Sequence, residues 1–352
     1  MFEMSTFTAA QAGPFEAMYV WGIAVIHAFQ SFRSPALTLI ARIFTTLGDG
    51  IPYAIIIAAL FWCIDERRGF LVGMTTFLSN GLNAALKSTF SVPRPFTRDA
   101  AIQLVDVPDP FSTPSGHAQN SAAFWPTLFG TGGKRKVALR ILAAVGLPLC
   151  IGASRVYLGV HYPTDVLLGW AIGSIFAVVA VFAIPAIAQS KNDTIVGIRK
   201  SIASYQETTG RSFRSFKLAA IALIALVMNA TAGGDTSAGG AFFGFGAGFV
   251  FLTDRGNPGR SRRGEPLSPE ETASAAASQE PEFSAASGST LKKIARFAIG
   301  LVVLFAIHFG LKLVLPGEGS EYYALSRFLR YGLVGFWISF GAPRAFQKIK
   351  LA

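Results

Sequence analysis

The sequence predicts an all-α protein, a polytopic bundle of membrane helices, on three observations. Charged residues make up only 14% of the 352-residue chain and hydrophobic residues 51%, with a mean hydropathy of +0.46; a soluble domain carries about 25% charged residues. The apolar residues gather in runs of helical length separated by short hydrophilic segments. Those segments alternate between rich and poor in Lys and Arg, as in a chain that crosses a bilayer repeatedly. The formal charge of +11 therefore reports topology, and no nucleic-acid partner is expected.

Residues 17–32 are apolar but contain His27 and Gln30, so they read either as a short, weak span or as an amphipathic helix lying in the interface. Pro35 to Leu47 is amphipathic and stops at the Gly48-Asp49-Gly50 turn. Residues 51–64 run apolar to Asp65-Glu66-Arg67-Arg68, and 69–87 run back to Lys87. Pro93, Pro95, Pro108, Pro110 and Pro114 make 88–114 a loop. A helix resumes at Ser115 or Gly116, reaches Phe129 and breaks at Gly130 to Gly133, beside Lys134-Arg135-Lys136. Residues 137–153 and 163–188 form the next pair.

Further on, 216–230 and 238–252 form a hairpin around Thr231 to Ser237. Gly240, Gly244 and Gly248 recur there every four residues, a stripe for close helix contact. Residues 255–290, rich in Arg, Ser, Pro, Glu and Ala, read as a disordered loop. A last pair at 294–315 and 325–343 brings the spans to nine or ten. Several runs fall short of the roughly 20 residues that cross a bilayer, so semi-polar turns such as Leu78 to Lys87 must complete them. Cys63 and Cys150 sit in apolar segments and suggest no disulfide framework. Met1 to Gly13 holds Glu3 and no Lys or Arg, unlike a cleavable signal peptide.

Orientation follows from the basic residues. Segments 65–68, 131–136, 189–217, 254–296 and 344–350 contain two, three, six, seven and three of them, and they alternate with the sparsely basic 88–116, 154–162, 231–237 and 314–330. The basic side is expected to be the cytoplasm. Lys87, the proline-rich loop, His117, Arg155 and His161 then share the opposite face, while Arg33 and Arg42 fit this rule less well.

Three clusters on that face carry chemistry. Lys87 is followed by Arg94-Pro95, cations at a helix end and in a proline-stiffened loop. Pro114-Ser115-Gly116-His117 opens a helix whose free amides favour an anion, and Gly116 permits close approach. Ser154-Arg155 precedes His161 and Asp165; with a helix starting at Tyr162 or Pro163, the carboxylate lies one turn from the imidazole. Three cations, a helix N-terminus, two histidines and a carboxylate suit phosphoryl transfer, one histidine attacking phosphorus and the other protonating the departing oxygen. His27 and His308 lie outside these clusters and read as structural. Asp49 and Asp235 fall on the same face with no assignable partner.

The pattern Lys87-x6-Arg94-Pro95, Pro114-Ser115-Gly116-His117 and Ser154-Arg155-x5-His161-x3-Asp165 resembles the type 2 phosphatidic acid phosphatase family. The resemblance covers roughly residues 45–188 and implies a membrane helical core over 1–188. Residues 189–352, which the pattern leaves unexplained, add four further C-terminal spans. It implies that His161 is the nucleophile of a phosphohistidine, Asp165 its orienting partner and His117 the general acid. Lys87, Arg94, Ser115, Gly116 and Arg155 become the phosphate cradle. It further implies no metal and no cofactor, a lipid phosphate or diphosphate as substrate among membrane lipids, and a site at the non-cytoplasmic face of the cell's inner membrane. The oligomeric state is left open. A phosphotransferase with the same intermediate is a close variant, and a transporter or scramblase the alternative of a different class.

Overall fold

The computed structural model describes residues 15–104, 111–133, 136–197, 200, 201, 204, 213–254, 267–272 and 283–352. Two short helices come first, α1 (Glu16–Ser31) and α2 (Pro35–Thr46). Ser34 caps α2 by accepting from the Leu37 amide at 3.2 Å, and Pro35 takes the first-turn position where its missing N–H costs nothing. At one end of α1, Glu16 pairs with Arg98 at 2.8 Å, and near the other, Gln30 donates to the Gln103 carbonyl at 3.1 Å. A helix rises about 1.5 Å per residue, so anchors about 21 Å apart are tied along one segment. α1 therefore lies across one end of the bundle, over Tyr162 and Pro163, instead of running through it. At 16 residues, α1 is not among the helices long and apolar enough to cross a membrane.

α3 (Gly50–Cys63) and α4 (Glu66–Phe90) form a hairpin in which Asp65 caps α4, accepting from the Arg68 amide at 2.9 Å. One helical turn, α5 (Pro95–Arg98), interrupts the proline-rich loop. Then come α6 (Gly116–Gly130), α7 (Val137–Tyr157) and α8 (Pro163–Val178). α8 passes through a π-helical turn, Val179–Ala183, into α9 (Ile184–Gln189). Pro185 lacks the amide that an α-helical bond would use, and the looser turn ahead of it absorbs that loss. α8 reaches α6 through glycine: a Cβ on Gly169 would stand 2.8 Å from the Ser115 carbonyl oxygen and 3.0 Å from the Gln119 amide. The start of α6 and the first turns of α8 are thereby fixed against each other.

The C-terminal half contains α10 (Arg214–Thr231), α11 (Ser237–Thr253), α12 (Thr290–Val314) and α13 (Tyr323–Phe336), the last leading through Trp337–Gly341 into α14 (Ala342–Lys348). Gly240 and Gly244 face the backbones of Phe328 and Gly332, and Gly248 faces Ser339, so the glycine stripe is the α11–α13 contact. At the end away from α1, Trp62 donates to the Ile338 carbonyl at 2.8 Å. Nearby, buried Arg296 gives its donors to the carbonyls of Leu351, Trp62, Ala285 and Ser287 at 2.8, 3.1, 3.2 and 2.6 Å. A buried cation is tolerable only when its donors are met this fully.

Among the described residues, Val137–Tyr157, Pro163–Gln189, Arg214–Thr231 and Thr290–Val314 are long and apolar enough to cross a membrane. Pro35–Thr46 with Gly50–Cys63, bent by 51°, makes a fifth if it counts as one span. The nine or ten spans read from apolar runs exceed this number mainly because α1, α6, α11 and α13 are 16, 15, 17 and 14 residues long, short of a full crossing. The 25-residue α4 is long enough, but it turns Ser79, Asn80 and Asn83 toward Gln119 and Asn120 of α6, and that dilutes its hydropathy. Most of the 255–290 stretch expected to be disordered lies outside the described residues, as do Met1 to Gly13, Pro108 and Pro110.

Candidate active site

The third cluster is built by the junction of α7 and α8. α7 ends in a Schellman closure: the Val160 amide reaches the Arg155 carbonyl at 3.2 Å and the Gly159 amide that of Val156 at 3.0 Å. Gly159 sits at φ +75°, where a side chain is strained. That turn delivers His161 just ahead of α8, with Tyr162 as cap and Pro163 in the first turn. Asp165 is then the third helical residue, and its Oδ2 accepts from the Tyr162 amide at 2.9 Å and from His161 Nδ1 at 3.3 Å. The Ser112 hydroxyl also donates to Oδ2, and Thr113 Oγ1 to Oδ1 at 2.5 Å. The helix N-terminus favours the carboxylate as well.

On the other edge of the ring, Arg94 Nη1 lies 3.0 Å from His161 Nε2 and donates to the Val160 carbonyl at 2.7 Å. A guanidinium only donates, so Nε2 faces it with a lone pair and the ring proton sits on Nδ1, toward Asp165. Burial, and then the charges of Arg94, Arg155 and Lys87, hold the His161 pKa well below the usual imidazole range. The ring is thus a neutral base with an aimed lone pair, the form that attacks an electrophile.

The second cluster faces it. Ser115 caps α6, accepting from the Ala118 amide at 3.4 Å, while its own amide donates to the Asp165 carbonyl at 3.0 Å. Asn83 holds this turn from α4, its Nδ2 reaching the Pro114 carbonyl at 3.2 Å and Gln119 Oε1 at 2.9 Å. A Cβ on Gly116 would stand 3.0 Å from Asn83 Oδ1, so the turn passes close against that side chain. His117 Nε2 lies 2.8 Å from Asp49 Oδ1. Lys87 Nζ donates to the Phe111 carbonyl at 3.2 Å, and Arg155 Nη1 to Thr45 Oγ1 at 2.5 Å. The limbs of the proline-rich loop are joined by a bridge between Pro93 and Phe111, which carries Arg94 toward Ser112.

Every residue singled out in the three motifs therefore stands at one end of the bundle. Sequence reasoning missed Ser112, Thr113, Asn83, Gln119 and Thr45, and left Asp49 without a partner. Ser112 and Thr113 directly precede Pro114-Ser115, and Asn83 lies one turn before Lys87; those were the signals available. Asp235 pairs with Arg327 at 2.8 Å. His27 binds Asp99 at 2.7 Å and fastens α1 to the 95–103 segment, and His308 packs between the rings of Phe309 and Tyr331.

Comparison with known proteins follows the same residues. The PAP2 superfamily model matches residues 68–188. A second model, the transmembrane extension of PAP2 superfamily phosphatases, matches residues 272–352, so part of the half that the motifs leave unexplained has a counterpart among such phosphatases. Phosphatidylglycerophosphatase B of Bacillus subtilis is 32% identical over 161 residues, which cover 43% of this chain and 76% of that one. Decaprenylphosphoryl-5-phosphoribose phosphatase of Mycobacterium tuberculosis is 31% identical over 163 residues, covering 43% and 84%. The crystal structure of a transmembrane PAP2 type phosphatidylglycerolphosphate phosphatase from Bacillus subtilis aligns with a TM-score of 0.43 at 25% identity, over 50% of this chain and 89% of that one. With its motifs gathered at one end of an all-α membrane bundle, the chain belongs to the PAP2 superfamily.

Proposed function

We propose that the protein hydrolyses a lipid phosphomonoester or diphosphate through a phosphohistidine on His161, without a metal ion. The observation that carries this reading is the His161 ring, with Asp165 on Nδ1 and the Nε2 lone pair toward Arg94. The matched relatives are named for phosphate removal from lipid-linked substrates, which supports the substrate class. Lys87, Arg94 and Arg155, with the Ser115 hydroxyl and the Gly116 amide, hold the phosphoryl oxygens and offset the charge that a divalent ion would otherwise offset. The Nε2 lone pair forms the bond to phosphorus as the bond to the lipid oxygen breaks. His117 gives its proton to that oxygen, then takes one from a water whose oxygen attacks phosphorus. The phosphorus–nitrogen bond breaks, phosphate leaves, and both imidazoles return to their starting states.

The same reading makes residues 1–188 the catalytic core and 189–352 an attached membrane region. It also opens the site on the non-cytoplasmic face, opposite the basic segments. The test is phosphate release by the purified full chain from phosphatidylglycerol phosphate, phosphatidic acid, undecaprenyl diphosphate and a sphingoid phosphate, each with excess EDTA. Turnover of at least one substrate, absent in His161→Ala, is expected. Full activity of His161→Ala, or a loss in EDTA that one divalent ion restores, overturns the proposal.

A further inference from the structure

We propose that Asp49 is a positioning residue that aims His117 at the departing oxygen, an inference that rests on His117 being the general acid. Asp49 occupies the cap position of α3, in extended conformation, yet its carboxylate makes no cap bond. Ser34, Asp65, Ser115 and Ser289, in the same position on other helices, all accept from an amide of their own first turn. Asp49 forgoes that local bond and reaches a side chain 68 positions away, at 2.8 Å. The backbone beside it presses on the same ring. A Cβ on Gly48 would stand 2.9 Å from His117 Cδ2 and 2.9 Å from Ile151 Cγ2, so the α2–α3 turn and α7 confine the imidazole together.

Charge gives the contact a purpose. Burial first, and then the charges of Arg155 from α7 and Lys87 from α4, make an imidazolium at His117 costly. The Asp49 carboxylate supplies the counter-charge from the α2–α3 turn. With Nε2 held by Asp49, Nδ1 is the nitrogen that can serve the reacting group. As the bond from phosphorus to the lipid oxygen breaks, the Nδ1 proton passes to that oxygen. The Nε2 proton stays with Asp49, just as the Nδ1 proton of His161 stays with Asp165. The site thus holds two histidine–carboxylate pairs, joined through opposite ring nitrogens.

Leaving-group chemistry tests this, because a lipid alkoxide needs the proton and p-nitrophenolate needs it far less. Asp49→Asn and Asp49→Ser both keep a side chain suited to the cap position, so neither loses helix-capping ability. The expected loss in kcat/KM is about 10- to 100-fold on the lipid phosphate and under about 3-fold on p-nitrophenyl phosphate, a fraction of the 10²–10⁴ that a removed acid costs. In a His117→Ala background, Asp49→Asn is expected to add nothing. Equal losses on the two substrates, or a full further loss in the double mutant, overturn the role of Asp49. If His117→Ala itself loses equally on both substrates, the acid assignment falls instead, so the two failures are distinguishable.

Discussion

Asp165→Asn changes charge while keeping shape, and the contacts around it decide what is lost. Oδ2 receives the Tyr162 amide at 2.9 Å, His161 Nδ1 at 3.3 Å and the Ser112 hydroxyl, and Oδ1 receives Thr113 Oγ1 at 2.5 Å. An amide whose oxygen takes the place of Oδ2 keeps the Tyr162 and His161 bonds. Its NH2 then faces Thr113, whose hydroxyl rotates to accept. The imidazole keeps its tautomer, with the Nε2 lone pair forward, and only the charge disappears. A hydrogen bond to an ionised group contributes about 1.5–3 kcal/mol against about 1 for a neutral pair. The difference, about 0.5–2 kcal/mol, becomes a loss of about 2- to 30-fold in kcat/KM. The assay is initial phosphate release on one lipid phosphate for wild type, Asp165→Asn, Asp165→Ala and His161→Ala, with melting temperatures in detergent. Asp165→Asn is expected to melt within about 2 °C of wild type, a shift that corresponds to about 1.5 kcal/mol at most for a chain of this size. Asp165→Ala strands buried donors at about 1–3 kcal/mol each and loses stability as well as rate. A folded Asp165→Asn as inactive as His161→Ala refutes the reasoning, and so does one with no loss.

Two further outcomes follow from the site and the topology. Burial and the neighbouring cations keep His161 neutral in the folded protein, whereas the unfolded chain protonates it below about 6.5; the unfolded state then binds more protons, so stability falls as pH drops below about 6.5 and is level above it. The melting temperature of wild type should fall more steeply from pH 7 to 5 than that of His161→Gln, and equal slopes refute this. In a background without Cys63 and Cys150, Gly317→Cys should react with an impermeant maleimide in intact cells and Gly133→Cys only after lysis. Both sites admit a Cβ with nothing within 4 Å, and the reverse labelling pattern overturns the orientation.

What was legible in the sequence is what is local in the fold. His161 and Asp165 meet because four residues span the start of α8, and Pro114 to His117 form one cap and one first turn; short-range geometry writes such pairs into spacing. Asp49 and His117 are 68 positions apart, and Ser112 and Asp165 are 53 apart, so no spacing announces them. Gly48-Asp49-Gly50 reads as a turn, which it is, while the job of its carboxylate depends on how α2 and α3 pack against α6 and α7. Boundaries shift for a related reason. α7 continues to Tyr157, beyond the expected 153, because its end is set by the closure at Gly159 and not by hydropathy. The glycine stripe of α11 was legible as a contact surface, but its partner, α13, was not.

The burial of the two histidines differs in a way that the proposed chemistry requires. The side chains of His161 and Asp165 are 1% and 2% exposed, whereas those of His117 and Asp49 are 24% and 48% exposed. In an in-line displacement the leaving oxygen departs on the side opposite the nucleophile, and the water that later attacks phosphorus arrives on that same side. The acid must therefore stand where an alcohol can leave and water can enter, and His117 stands at such a rim. The nucleophile has the opposite need, because a hydrated lone pair must shed its water before it attacks. His161 meets that need by its burial and by Arg94, whose Nη1 lies 3.0 Å from Nε2. An arriving phosphoryl group offers that guanidinium charged oxygens, a stronger acceptor than a neutral imidazole. On the proposed reading, that exchange of acceptors is what opens the Nε2 lone pair to phosphorus.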